Sequence, residues 1–565
     1  MSDDSEPIRK ERETWEREQL EPALEREGER PGLHSQAMRW PLERLYTPLD
    51  LEALGFDYLR DAGFPGQPPF TRGTAPNGYR GQLWNMVQVT GYGTGEDWAK
   101  RARYMLDQGL SGLILEYDLP TTNGYDSDHP LAAGEVGRAG IAIDSLPDME
   151  AALDFDFRGL QHLTSVCNGP QPVNLAMILA ALEKKGVDPA SFTLQMPNAI
   201  LIEYTCVGRY LYPPEHGLRV ATDVIEYTIR NHPHWVPIAV VSAQLYAARA
   251  NPVQELAFSF AIAFEYLDAV LRRGFDVDEV APYFSFITGV DMDFLEAVGK
   301  LRAYRKLWAS LLQERYGAKR PESLHLKLMA SPGTMSLTLQ QPLNNIARLA
   351  IQMLACALGG GAQTLTSPLH DEAHALPSEE AIAVGAALQH IVAFETGAAD
   401  VVDPLGGSYA VEVMTRRIEE AVRAELQTID GLGGALAAIQ RGYFQRELAR
   451  EQVERNREIE EGARKLVGVN HLKREEAGER GIEFFELDPE TERRQLERLE
   501  RVRAQRNAGK VEEALDRVRD AALAGENLMP PVLDAVKVHA TQGEICDAQR
   551  EVFGEHRPDV RDAGP

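Results

Sequence analysis

Residues 112–145, GLILEYDLPTTNGYDSDHPLAAGEVGRAGIAIDS, gather the side chains best able to hold a small ligand. The apolar run Leu113-Ile114-Leu115 reads as a buried strand, and Glu116, Tyr117 and Asp118 stand at its end. Polar and aromatic groups at the carboxyl end of a strand, with a long loop behind, suit a ligand site in an α/β protein. Within the loop, GYDSDHP (124–130) brings the oxygen and nitrogen donors Asp126, Asp128 and His129 together. Calcium loops need more ligands at fixed offsets, and zinc needs a third or fourth donor. A hydrogen-bonded structural turn is the favoured reading. Gly359-Gly360-Gly361 precedes a strand instead of opening a helix, so it fits neither phosphate-binding fingerprint. VVDPLGGSY (401–409) reads as a turn, and the chain has no nucleophile elbow and no HExxH.

A regular alternation must position these groups. Short β-prone runs fall at 83–89, 112–117, 162–167, 192–196, 237–242, 283–288, 324–329 and 363–366. Helix-period segments separate them at 95–108, 147–153, 172–185, 220–231, 253–273, 292–314, 342–358 and 379–395. Eight strands alternating with eight helices predict an α/β fold, a (β/α)8 TIM barrel of parallel strands. A doubly wound open sheet shares the local rhythm, and the count of eight favours the barrel. The expected organisation is an N-terminal arm and wrap (1–72), the barrel (73–411) and a helical region (412–565) packed on it. ETWEREQLEPALEREGER predicts a solvated helix, with an arm docking on a partner as the alternative. Residues 467–481 predict a crossing loop. Barrel interiors are normally Val, Ile and Leu, yet these strands carry Thr164, Ser165, Thr193, Ser242 and Ser285. A lumen lined with hydroxyls predicts water or a thin polar ligand along the axis.

With 565 residues, 44% hydrophobic and 26% charged, the chain has a globular composition. Its net charge of −27 argues against nucleic acid and anionic membranes, which require a basic footprint. No apolar run reaches membrane-spanning length, and the acidic N-terminus has no signal-peptide pattern. Four scattered cysteines without CxxC spacing predict a reduced, cytoplasmic setting.

The chain resembles the large subunit of the adenosylcobalamin-dependent acyl-CoA mutases, the methylmalonyl-, isobutyryl- and 2-hydroxyisobutyryl-CoA enzymes. The resemblance spans about 46–553 and rests on FPGQPPFTRG (64–73), GYGTGEDWAKR (91–101) and DLPTTNGYDSDHPLAAGEVGRAGIAIDS (118–145). PVQELAFSFA (252–261), KLRAYRKLWA (300–309), FETGAADVVDPLGGSY (394–409), LERLERVRA (496–504) and GENLMP (525–530) extend it. It implies a barrel split to carry acyl-CoA down its axis, adenosylcobalamin as cofactor, and a radical 1,2-shift. The family's DxHxxG cobalt-ligand motif is absent from this sequence. A separate cobalamin-binding small subunit is therefore expected, in a heterodimer or heterotetramer.

By the same resemblance Gln244, Glu116 and Val89 stand at the reacting group. Asn77, Gly78, Arg80, Asn85, Gln195, Val207, Ser285 and Lys327 line the substrate, and Tyr117, Ala139, Cys206 and Glu372 face the cofactor. Several positions depart from the methylmalonyl type. Val89 replaces a Tyr, Val207 an Arg that grips the free carboxylate, Gln244 and Met329 two His, and Pro197 a Gln. Family basic residues fall on Gln82, Val87 and Tyr283. Losing the Arg disfavours a dicarboxylic acyl group. Val89 with Glu116 points to the 2-hydroxyisobutyryl type, in which an acid holds the substrate hydroxyl. Two rivals stay open, a mutase on a non-CoA substrate and a silent paralogue that binds a cobalamin subunit.

Overall fold

A computed structural model describes residues 5–30, 33–374, 376–474 and 487–556. Eight parallel strands form one sheet: β1 Asn85–Thr90, β2 Gly112–Glu116, β3 His162–Val166, β4 Thr193–Gln195, β5 Ile238–Val241, β6 Phe284–Val290, β7 Lys327–Pro332 and β8 Thr364–Thr366. Their order is β4-β3-β2-β1-β8-β7-β6-β5, and the ends meet where Gln195 bridges Val236 just before β5. The β4/β5 seam is slender, carried by Met196 N–H to Val236 O, Val236 N–H to Leu194 O and Ala239 N–H to Met196 O. A helix follows each strand before the next begins. The expected TIM barrel is therefore the fold, not an open sheet. β7 starts three residues later than the sequence predicts, because Leu324 ends a short helix Pro321–Leu324.

Strand alternation sorts side chains between helices and lumen. Leu113, Leu115, Leu163, Leu194, Ile238, Val240, Phe284, Phe286, Leu328 and Leu365 point outward into the main core. Val87, Ile114, Ala239, Val241, Ile287 and Met329 form a separate inner cluster. The hydroxyl-lined lumen needs correction. Ser165 pairs with the Tyr117 hydroxyl at 2.8 Å, on the outward face. Ser242 donates to Glu255 and to Ile287 O at 3.1 and 3.0 Å, again outside. Thr164 and Ser285 do face inward, joined through Gln195, and Thr193 shares the face of Gln195.

The helical region packs on the barrel: helix Tyr409–Leu432 lies against Pro252–Leu271 and Phe294–Tyr316, and Met529–Lys537 against Gln171–Lys185. The first of these begins before residue 412. The N-terminal helices Ser5–Trp15 and Glu21–Glu27 bury no side chain, in keeping with a solvated arm. Of the predicted crossing loop, 467–474 is described and 475–481 lies outside the described residues. VVDPLGGSY is a turn whose Asp403 takes hydrogen bonds from Arg302 and, at 2.9 Å, from Arg72. Arg302 is wholly buried and also reaches Glu412 at 2.5 Å. Removing a buried guanidinium leaves the desolvated Glu412 carboxylate without its cation and Asp403 with Arg72 alone, so Arg302→Met is expected to destabilise by roughly 3–5 kcal/mol. A thermal-denaturation scan checks this, with Arg158→Met, an exposed arginine, as the near-neutral control.

Candidate functional site

The loop after β2 builds one side of the barrel's carboxyl-end mouth. Ile141 donates to Glu116 O at 2.9 Å and accepts from Asp118 N–H at 3.0 Å, so the returning chain pairs alongside the end of β2. Gly140 (φ +155°) passes so near Tyr117 that a Cβ would sit 2.0 Å from its carbonyl carbon. Only glycine permits that approach. Asp118 accepts from Thr121 and Gly137 N–H groups at 2.9 and 2.7 Å, with burial pushing its pKa up to about 7. Asp126 accepts from Gly543 N–H, Thr541 and Arg503, and Asp128 also pairs with Arg503. His129 accepts from Leu131 N–H at 3.2 Å. GYDSDHP is thus a structural turn tied to the C-terminal helices.

Five of the predicted residues sit at this mouth. Val89, at the end of β1, is 37% exposed. Beside it Glu116 ends β2, and Gly91 lets β1 run flush against it, since a Cβ there would meet Glu116 O at 2.6 Å. Burial pushes the Glu116 pKa up to about 7; Arg209 draws it down and Glu203 pushes it further up. Cys206 and Val207 close the one-turn segment Glu203–Val207, and Val207 is partly exposed. Gln244 lies in the first turn of the helix Ser242–Ala247 after β5, and its Oε1 is buried without a partner among the described residues. A buried amide oxygen left unpaired marks a place where a donor from a ligand or water completes the bonding.

Around the inner wall, from β3 to β6, runs a polar chain. His162 Nε2 lies 2.9 Å from Thr164 Oγ1, which donates to Gln195 Oε1 at 3.2 Å. Gln195 Nε2 then donates to Ser285 Oγ at 2.9 Å, passing over the small Ala239. Burial drives the His162 pKa down to about 4, so the ring is neutral. Met329 lies in the aliphatic layer, and Pro197 follows β4.

At the amino end opens a cavity of about 480 Å³, lined in part by Asn77, Gly78, Trp84, Asn85 and Gln363. The buried Trp84 Nε1 has no partner there, and Asn85 Nδ2 reaches Thr364 Oγ1 at 3.5 Å. A Cβ at Gly78 (φ +50°) would meet the Val402 side chain at 3.2 Å. Arg80 and Lys327 are exposed and form no ion pair among the described residues. Arg72, in the cavity wall, is held by Asp403.

The residues assigned to the cofactor divide. Ala139 is exposed on the rim, whereas Tyr117 is buried with its hydroxyl on Ser165. Cys206 is half-buried. Glu372 caps Leu369 N–H at 2.8 Å, its pKa pushed up to about 7 by burial. Thr366 Oγ1, His370 Nδ1 and Asp371 Oδ1, at and beyond the end of β8, are buried without partners. Sequence reasoning missed these three, Trp84 and His162, and also Glu203, whose buried carboxylate accepts from Asn168 Nδ2 at 2.5 Å. Only His162 had a legible signal, two residues from Thr164 on one strand face.

The family model for methylmalonyl-CoA mutase matches residues 35–555. The chain is 37% identical over 552 residues to the 2-hydroxyisobutanoyl-CoA mutase large subunit of Aquincola tertiaricarbonis, covering 97% of each protein. It is also 37% identical to the methylmalonyl-CoA mutase of Cereibacter sphaeroides and 36% to that of Escherichia coli, in both cases over 92% of this chain and 72% of the relative. With matches of this extent on a (β/α)8 barrel, the chain belongs to the methylmalonyl-CoA mutase family.

Proposed function

We propose that this chain is the substrate-binding large subunit of a cytoplasmic, adenosylcobalamin-dependent mutase that isomerises a 2-hydroxyacyl- or branched acyl-CoA. The observation that carries this reading is the pairing of Glu116 with Val89 at the mouth, above a lumen crossed by polar side chains and with a cavity at its amino end. A substrate hydroxyl would donate to Glu116, and Gln244 would donate from its Nε2 amide to the thioester carbonyl. The pantetheine arm would replace the Gln195–Ser285 contact, and the slender β4/β5 seam is where the barrel can widen. Asn77, Gly78, Asn85 and Trp84 would hold the nucleotide end, with Arg80 and Lys327 for its phosphates.

The rim fits one face of a corrin. Leu119, Leu131, Ala139 and Val207 present apolar surface, while Thr366, His370 and Asp371 keep buried polar atoms for adenosyl or amide groups. When bound, the cofactor supplies the hydrogen-abstracting radical, and this chain excludes water and holds the acyl group in place. The cobalt ligand would come from a small subunit, in a heterodimer or heterotetramer. The large-subunit name of the Aquincola relative favours that assembly. Among the described residues no helix is long and apolar enough to cross a membrane, and all four cysteines are unpaired.

Reconstitution with a cobalamin-binding small subunit and adenosylcobalamin tests the reading. Cob(II)alamin absorbance is expected on adding 2-hydroxyisobutyryl-CoA, and silence with every thioester contradicts it. Glu116→Ala should lower kcat/KM for the hydroxylated thioester by roughly tenfold to a hundredfold, the worth of a hydrogen bond to a charged group. Activity on the unhydroxylated analogue should change less. Because the Glu116 pKa is raised from 4.5 to about 7, the folded chain keeps a proton that the unfolded chain releases, and stability falls as pH rises across that window. Glu116→Gln removes this loss. Its thermal midpoint should therefore gain on the wild type between pH 5 and pH 8, as melts at both values will show.

A further inference from the structure

Arg209 is the cation whose field reaches Glu116, and it is already engaged. Its Nε and Nη2 donate to the two oxygens of Glu203 at 2.9 Å each, a two-pronged contact. Glu203 is 2% exposed and also accepts from Asn168 Nδ2 at 2.5 Å. Asn168 lies two residues beyond Val166, the β3 partner of Glu116. Glu203 in turn opens the segment that ends at Cys206 and Val207 on the mouth. The local ionic set is thus two carboxylates and one guanidinium, with the guanidinium spent inside the protein.

We infer that Glu203 is a specificity-determining residue: by occupying Arg209 it leaves the mouth without an available cation among the described residues and so excludes acyl groups that carry a second carboxylate. The inference rests on the acyl-CoA reading above and adds to it a determinant set back from the reacting group. An acyl carboxylate entering beside Glu116 meets like charge and the neutral Val207, and its desolvation is uncompensated. Glu203→Gln would keep an acceptor for Asn168 while releasing the charge of Arg209 to the mouth.

Isothermal titration of the full chain at pH 8 with isobutyryl-CoA and methylmalonyl-CoA, which differ by a methyl against a carboxylate, provides the test. The wild type should prefer isobutyryl-CoA. Glu203→Gln should shrink that preference by roughly tenfold, one charge-assisted contact. Adding Arg209→Gln to that variant should restore it. If Glu203→Gln fails to fold by circular dichroism, Glu203→Asp, which withdraws the carboxylate by one methylene, should shift the preference in the same direction by less. An unchanged preference, or a gain that survives loss of Arg209, overturns the inference while leaving the acyl-CoA reading intact. A wild type that binds neither thioester removes both.

Discussion

The hydrogen bond from Gln195 on β4 to Ser285 on β6 crosses the inner face of β5, and the rest of the site is arranged around it. It exists because Ala239 between them is small enough to pass over, and because Thr164 and His162 orient the Gln195 amide from the other side. An apolar barrel would fill this level with branched side chains. Here a polar level sits in a lumen that also holds the aliphatic cluster Val87, Ile114, Ala239, Val241, Ile287 and Met329. A linear ligand must displace both. The polar contacts can be exchanged for those of a polar arm at small cost, and the weakest strand pairing lies next to Gln195, at the bridge to Val236.

The mouth, by contrast, is braced from outside. Asp126, Asp144 and Asp148 are buried together, with Arg503, Arg498 and Gln495 supplying donors from the helix Thr491–Gln505. Burial and mutual repulsion push the Asp144 carboxyl well above the ordinary range, so the cluster is stable only while its donors stay in place. The C-terminal helices thereby fix the loop that carries Ala139 and backs Glu116. On the opposite flank, Arg302 and Lys306 perform the same service, tying the helix Phe294–Tyr316 to Asp403, Glu412, Asp61 and Glu419. Rigid walls around a yielding axis suit a site that must admit a long ligand and still place its acyl end accurately.

How much of this was legible in the sequence follows from the range of each interaction. Strand positions were, since Leu113-Ile114-Leu115 or Phe284–Val290 announce themselves by local apolar content. Facing was not: Ser165 and Thr164 differ by one residue and by the whole thickness of the sheet, and no local signal told which turned inward. GYDSDHP could be read as a turn, yet its partners Thr541 and Gly543 lie more than four hundred residues away. Arg209 could be seen in sequence near Val207, but its capture by Glu203 depends on how the intervening turn folds back. The unpartnered Trp84 and His370 atoms are properties of burial alone, which composition does not reveal.

The most direct test of the account is a structure of the full chain with a non-isomerisable acyl-CoA. The account predicts the pantetheine arm on the barrel axis, the Gln195–Ser285 bond broken, the β4/β5 seam widened and the thioester carbonyl on Gln244. A coenzyme lying wholly outside, against Trp84 and Asn77 with the inner aliphatic layer undisturbed, would contradict it.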